Sequence, residues 1–548
     1  MRLCNPKTKS ETGFDHVVHS LNPRSPYGKK RVKEIRPFAP GEETLLEQEL
    51  SRQESAMALL KTEGRRMELL SEILMQMKDT SFTVERTKNN VLTMVELFEM
   101  KTLLLQMLGI RDLLSPLKDS IPEEFFPKDV EEVVDVLDPD RERMNTFYLY
   151  DSFSCRLAEL RGEKRRIELE VRREQKDRKR EVEQRYGITM TPKFEYLVSK
   201  ADKEKMEAAQ AMPELTLQEE DYMTATFRLR GTPVVHALCK SMDSLNEALE
   251  DEELLVREAL SQQLGAHRDV ILENSRRIGE LDFNLAKAMH AEQNRCVRPR
   301  IVQEHILEVK EGRQLVVEEI LNKKGKDYCP VTLSLKDGVA CITGANMGGK
   351  TVTLKMIGQC AMLAQHGFFV PCQEATIGLS SYIHILIGDS QNVQRGLSSF
   401  GSEMEELKDI LEHSKDRTLL LIDEIANGTN PIEGLALTKS IVHYLSKRLY
   451  ITLITTHYDN VATEDNSRNL QVRGLAGANF ENLAREIRYA NRRERIEIIG
   501  KYMDYRLYEV EGEKEIPKDA LNIAKMLGIG NEIIEQAKQY MEDRNDEK

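Results

Sequence analysis

From Glu42 to about Asp151 apolar residues recur at three- and four-residue steps, as in Leu46, Leu50, Ala56, Leu59 and Leu60, then Met67, Leu70, Ile73 and Leu74. That period predicts helices, and Met94–Leu108 repeats it before Pro116, Pro122 and Pro127 mark loops. About Ser152–Tyr186 reads as one charge-dense helix with a narrow stripe of Leu157, Leu160, Ile167, Leu169 and Val171. Tyr186 to about Arg230 reads as a mixed tip or return segment, and 233 to about 295 is helical again. From Ile301 the pattern changes to short strands alternating with helices: Val331–Leu335, Val339–Thr343, Phe368–Val370, Tyr382–Ile387, Leu419–Ile422 and Tyr450–Thr455. Such alternation predicts an α/β domain behind an α-helical region. Ile516–Lys548 reads as a helical hairpin, Ala520–Leu527 and a second helix to about Asp543, broken at Gly528 and Gly530. Residues 1 to about 43, punctuated by Pro23, Pro26, Pro37 and Pro40, read as an irregular arm that packs onto something else. The expected domains are thus 1–43, 44–300, 301–515 and 516–548.

Composition narrows the class. A chain of 548 residues predicts several domains, and 40% apolar content suffices for their cores. High charge (31%) with few aromatics and no Trp suits long exposed helices. A net charge of −13 is unlike a dedicated nucleic-acid binder, yet basic residues outnumber acidic ones within 152–186. That helix has two readings, a solvated hairpin or a tip whose Lys and Arg neutralise phosphates. Eight scattered cysteines without a C-x-x-C pair argue against a metal ribbon or disulfide framework and for a reducing cytoplasm. No run is long and apolar enough to span a membrane, and the N-terminus has no apolar signal core.

The candidate chemistry centres on Gly344-x4-Gly349-Lys350-Thr351, between a buried strand and a helix. Glycines let the backbone curl its N–H groups onto phosphates, Lys350 brings a point charge, and the Thr351 hydroxyl suits Mg²⁺. Gly344, Ala345, Asn346, Met347, Gly348, Gly349, Lys350 and Thr351 are therefore the expected ATP-binding run. Thr418–Glu424 is an apolar strand ending in two carboxylates. Asp423 reads as a Mg²⁺ ligand and Glu424 as the base that orients and deprotonates water. Standing alone, Asp423 is equally a helix cap; roughly seventy residues after Lys350 it is functional. His457 ends another apolar strand and reads as a γ-phosphate contact, though a lone His is more often structural. Ser398 precedes a helix; it is an N-cap, or it faces a γ-phosphate held by another subunit.

In this order the motifs resemble the MutS family of ABC-type ATPases. The matching runs are Gly-Ala-Asn-Met-Gly-Gly-Lys-Thr (344–351), Ser-Ser-Phe (398–400), Leu-Ile-Asp-Glu-Ile (421–425), Asn-Gly-Thr-Asn-Pro-Ile-Glu-Gly-Leu-Ala-Leu (427–437) and Thr-Thr-His-Tyr (455–458). Residues 520–537 are similar to the family's closing dimer helices. The resemblance implies a P-loop ATPase domain over 301–515, lever helices upstream and a coiled-coil clamp over about 152–230. It also implies a homodimer whose sites are each completed by the partner copy's Ser398 region, and it places Tyr328 where the family stacks an aromatic on adenine. Ala345 stands where the family usually has proline, and Arg313-Gln-Leu replaces its Arg-His-Pro. The expectation is also that the mismatch-reading domain, its aromatic wedge motif and a C-terminal nuclease-like domain are absent.

Two functions follow from the resemblance. One is a mismatch-repair-related ATPase dimer that clamps DNA, with the basic helix on the phosphate backbone. The other is a factor that reactivates an adenosylcobalamin-dependent amino-acid mutase and grips protein. A helical scaffold with a decayed ATPase is a third reading, against which the intact site residues stand.

Overall fold

The computed structural model describes residues 3–344, 349–388, 399–475, 478–488, 492–510, 519–526 and 528–546. Contacts divide the chain into two compact units, residues 1–76, 117–126 and 277–548, and residues 77–116 and 127–276.

The first unit opens on α1 (Pro6–Glu11), α2 (Phe14–Ser20) and α3 (Pro26–Lys33), followed by α4 (Glu43–Thr62) and α5 (Gly64–Gln76). An irregular arm was expected over 1–43, and three helices stand there. Pro26, which read as a breaker, starts one of them, and Pro6 starts another. Pro6 and Pro26 occupy the first helical turn, where a missing N–H costs nothing, behind the capping side chains of Asn5 and Ser25. Leu3, Cys4, Phe14, Val17 and Leu21 lie in the largest core of the unit, so the arm is built into it.

The second unit holds α6 (Ser81–Arg86), α7 (Met94–Leu114), α8 (Glu131–Leu137) and α9 (Cys155–Tyr186). Then come β1 (Glu195–Ser199), α10 (Lys203–Ala211), β2 (Leu215–Glu220), β3 (Thr224–Leu229) and α11 (Pro233–Ala266). A Thr93–Glu96 capping box starts α7. Of its expected stripe α9 buries Leu157 and Leu160, while Ile167 and Val171 are half-buried and Leu169 is exposed; it also buries Val182, and it packs along α11. The segment between them is an antiparallel sheet in the order β1-β3-β2, packed around Val198, Ala225 and Phe227.

α12 (Arg268–Gln293) begins in the second unit and ends in the first. The remaining elements belong to the first unit. They are β4 (Arg300–Val302), β5 (Ile306–Gly312), α13 (Leu315–Lys323), β6 (Val331–Lys336), β7 (Gly338–Thr343), α14 (Lys350–Gln365), β8 (Glu374–Gly378) and β9 (Tyr382–Ile387). There follow α15 (Ser399–His413), β10 (Thr418–Asp423), α16 (Pro431–Ser446), β11 (Tyr450–Thr455), β12 (Ser467–Gly474), α17 (Phe480–Arg488), α18 (Arg492–Tyr502), β13 (Asp504–Val510), α19 (Asp519–Met526) and α20 (Asn531–Asp546). The predicted strand Phe368–Val370 is reduced to one bridge, Val370 with Val297. Its apolar run serves the core instead, with Phe368 edge-on to Phe14 and Phe283.

Six strands form one sheet in the order β13-β12-β7-β11-β10-β9, parallel except for β13. Side chains alternate across it, as strand geometry requires. Leu419 and Leu421 face the core shared with α14, while Leu420 and Ile422 face the core of α15 and α16. A sheet covered on both faces explains the uninterrupted apolar run of β10. A second, four-stranded sheet runs β4-β8-β5-β6. Among the described residues no helix is long and apolar enough to cross a membrane.

Candidate nucleotide site

Parallel register decides which side chains meet. Asp423 pairs with Thr455, and Thr455 with Ile342, so β7, β10 and β11 end level with one another. The carboxyl ends of such strands form the ligand crevice of α/β sheets. Asp423 is the last residue of β10, and Gly344, Glu424 and His457 lie within two residues of a strand end.

Gly344 and Gly349, at either end of the loop, hold φ of 130° and 72°, a region open to glycine. A Cβ at Gly349 would also lie 3.1 Å from the Tyr505 ring. Ala345, Asn346, Met347 and Gly348 lie outside the described residues, as does Ser398.

Lys350 opens α14 with only 3% of its side chain exposed. Its Nζ donates to the Gly344 carbonyl at 2.8 Å and to His457 Nδ1 at 3.2 Å, and lies 3.5 Å from Glu424 Oε1. Burial pushes the Lys350 ammonium below the usual lysine range, against the pull of Glu424 and Asp423. Because His457 Nδ1 accepts, its Nε2–H is left to donate to Glu424 Oε1 at 2.6 Å. Asn427 Nδ2 donates to the other oxygen, Oε2, at 2.9 Å. Both oxygens of Glu424 are thereby aimed.

The Glu424 backbone is unusual, with φ of 50°, a region costly for a residue with a Cβ. Thr455 holds it there, since the Glu424 N–H reaches both the Thr455 carbonyl at 3.0 Å and its hydroxyl oxygen at 3.1 Å. Ala426, at φ 63°, donates its N–H to Glu403 of α15 at 3.3 Å. Burial pushes the Glu403 carboxyl above the usual carboxylate range.

The Thr351 hydroxyl donates to Asp423 Oδ2 at 2.9 Å, and the Thr455 hydroxyl to Asp423 Oδ1 at 2.5 Å. A hydroxyl and a carboxylate in contact form an all-oxygen donor set, which fits Mg²⁺. Beside Gly349, Val352 and Thr353 lies a cavity of about 720 Å³ whose walls include Tyr328 and Tyr505. Burial pushes the Tyr328 phenol above its ordinary range.

The structure thus gathers Gly344, Lys350, Thr351, Asp423, Glu424 and His457, and brings Gly349 and Tyr328 to one cavity. Thr455, Asn427, Glu403 and Tyr505 were not anticipated. Thr455 carried a signal, a hydroxyl at the end of an apolar strand two residues before His457. Asn427 opens the quoted 427–437 run and meets Glu424 through the local turn, whereas Glu403 and Tyr505 depend on chain crossings that no local pattern encodes.

The family model for MutS domain V matches residues 340–544, the stretch that contains Gly344, Lys350, Thr351, Asp423, Glu424 and His457. Over those residues the chain is similar to a MutS domain V. The chain is 33% identical over 304 residues to Endonuclease MutS2 of Clostridium tetani, covering 54% of this chain and 35% of that protein. The proteins of the same name from Carboxydothermus hydrogenoformans and Bacillus cytotoxicus are 32% and 30% identical over 302 and 303 residues. Those matches cover 54% of this chain and 35% and 34% of the relatives. The chain therefore spans about a third of the length of the curated relatives it matches.

Proposed function

We propose that this MutS-family protein binds and hydrolyses ATP with Mg²⁺ and works as a homodimeric, nucleotide-driven clamp on DNA, in the cytoplasm and in the mismatch-repair-related class. One observation carries the reading: Lys350, Thr351, Asp423, Glu424 and His457 converge at the level ends of three parallel strands.

The roles follow from the contacts. Thr351 and Asp423 would hold Mg²⁺, which when bound supplies positive charge against the phosphoryl oxygens. Lys350, already anchored on the Gly344 carbonyl, would set its ammonium beside the outer phosphates. Glu424 accepts the proton of the attacking water, and His457 and Asn427 fix the direction in which its oxygens point. His457 would also meet the γ-phosphate. The cavity beside Gly349 is the place for adenosine, with Tyr328 and Tyr505 as its aromatic walls. Ser398 of a second copy would close the site. Exposed Ile529, Ile533 and Tyr540 on the α19–α20 hairpin support a self-association surface there.

For the macromolecule, the name of the curated relatives, Endonuclease MutS2, favours DNA over a mutase client. On α9, Arg165, Arg166, Arg172, Arg173, Lys176 and Arg180 are exposed. They supply the positive charge that a phosphate backbone takes, without reading sequence. In this scheme ATP closes the dimer and moves the helical levers, and hydrolysis resets them.

Duplex binding should be measured by fluorescence anisotropy at 50 and 200 mM salt with ATP and magnesium. Backbone contact through several Lys and Arg predicts a loss of affinity of about tenfold or more across that range. Absent or salt-independent binding overturns the DNA clamp.

A further inference from the structure

We propose that α1 is a strut between the phosphate-loop helix α14 and the β9–α15 side of the nucleotide site, with Lys7 and Glu11 as its positioning residues; this rests on the ATP-site reading above. The helix is six residues long and carries opposite charges four positions apart. Each charge reaches a different element of the same unit. Glu11 Oε2 accepts from Lys355 Nζ of α14 at 2.7 Å. Lys7 Nζ donates to Glu406 of α15 at 3.1 Å and to the Ile387 carbonyl, at the end of β9, at 3.4 Å.

The two grips fall at informative places. α14 opens with Lys350 and Thr351, and Lys355 sits one turn further along. α15 also carries Glu403, which accepts from the Ala426 N–H two residues after Glu424 at 3.3 Å. One short helix therefore touches the element that begins with Lys350 and Thr351 and the one that steadies the turn behind Glu424.

The strut is itself fixed. β9 is an edge strand, and the chain around α1 covers its open side. The Ile383 N–H donates to the Leu3 carbonyl at 2.8 Å and the Ile385 N–H to the Thr8 hydroxyl oxygen at 3.3 Å. Just past α1, fully buried Thr12 packs against Gly358 of α14, and its carbonyl accepts from Gln314 Nε2 at 3.3 Å. Glu406 also receives His384 of β9 at 3.2 Å, which ties strand and helix together at the Lys7 end. A shift of α14 on filling its site is thus passed through α1 to β9 and α15.

The test uses the full-length chain and a charge swap. Glu11→Lys should raise the KM for ATP about fivefold, and Glu11→Lys with Lys355→Glu should return it to the wild-type value. Lys7→Met should lower kcat by a similar factor with the KM unchanged, since it loosens α15 and with it the turn behind Glu424. A KM that does not move in Glu11→Lys, or that the swap does not restore, overturns the proposal. Hydrogen exchange reads the strut without turnover: amides of the first two turns of α14 should exchange faster in Glu11→Lys and recover in the swap. Unchanged exchange there overturns the strut even in an active enzyme. A wild-type chain that neither binds nor hydrolyses ATP, yet shows the exchange effect, removes the ATPase reading and keeps the mechanical link.

Discussion

Glu424 is held in a conformation that L-residues avoid, and the contacts around it show what the strain serves. Thr455 fixes its backbone, while His457 and Asn427 aim its two oxygens. Glu424→Gln keeps the shape and removes the basicity. It should bind ATP normally and lose turnover by about a hundredfold or more, read as phosphate release beside binding of a fluorescent ATP. Lys350→Ala should lose nucleotide binding itself, since that ammonium is buried against the loop carbonyl. Residue types at strand ends made Asp423, Glu424 and His457 legible from sequence. Asn427 and Glu403 were not, because their partners are set by how the chain turns after β10 and where α15 lands.

At the scale of elements, α14 is pressed between the N-terminal arm and β10. A Cβ at Gly358 would stand 2.6 Å from Thr12 Cγ2 and 3.0 Å from Leu421 Cδ1. Gly358→Ala should therefore cost about 1–3 kcal/mol, read from the urea midpoint. Gly500 of α18 has nothing within 4 Å, and Gly500→Ala should be neutral or slightly stabilising. The long helices were legible because a 3.6-residue period repeats over many turns. The same held for β7, β10 and β11, whose apolar runs are bounded by turn residues. The arm was misread because proline both breaks and begins helices, and only the flanking caps separate the two. β4, β5, β8, β12 and β13 were missed because they are short or carry polar residues on one face.

At the scale of the whole molecule, buried ionisable groups set how stability varies with pH. His366 of the first unit is buried, and its ring is taken down to about 4 by desolvation, against the help of the Met362 carbonyl. In the unfolded chain the ring takes a proton near pH 6.5, so between 6.5 and 4 the unfolded state binds the proton and the folded state does not. Stability must then fall as the pH drops through that window, by about 2 kcal/mol at pH 5 from this group. His366→Gln should flatten that part of a stability–pH profile measured by urea unfolding; an unchanged slope would show that the ring titrates normally. Further acid loss comes from Glu49, paired with fully buried Lys287 at 2.7 Å and held down to about 2 by that pairing against the cost of burial. That contribution is present above pH 4.5 and goes as the pH falls toward 2.

The sequence by itself determined the alternation of helices and strands, the glycine-lined loop and the charged residues that close each apolar strand. These are local patterns, imposed by backbone period, side-chain volume and the need to keep charge at strand ends. The tertiary structure alone decided that three strands end level, so that Lys350, Glu424 and His457 share one set of hydrogen bonds. It alone placed the N-terminal helices inside the nucleotide-binding unit. Both depend on contacts between residues tens to hundreds of positions apart, and a sequence pattern spanning a few turns carries no information about which distant partner will complete it.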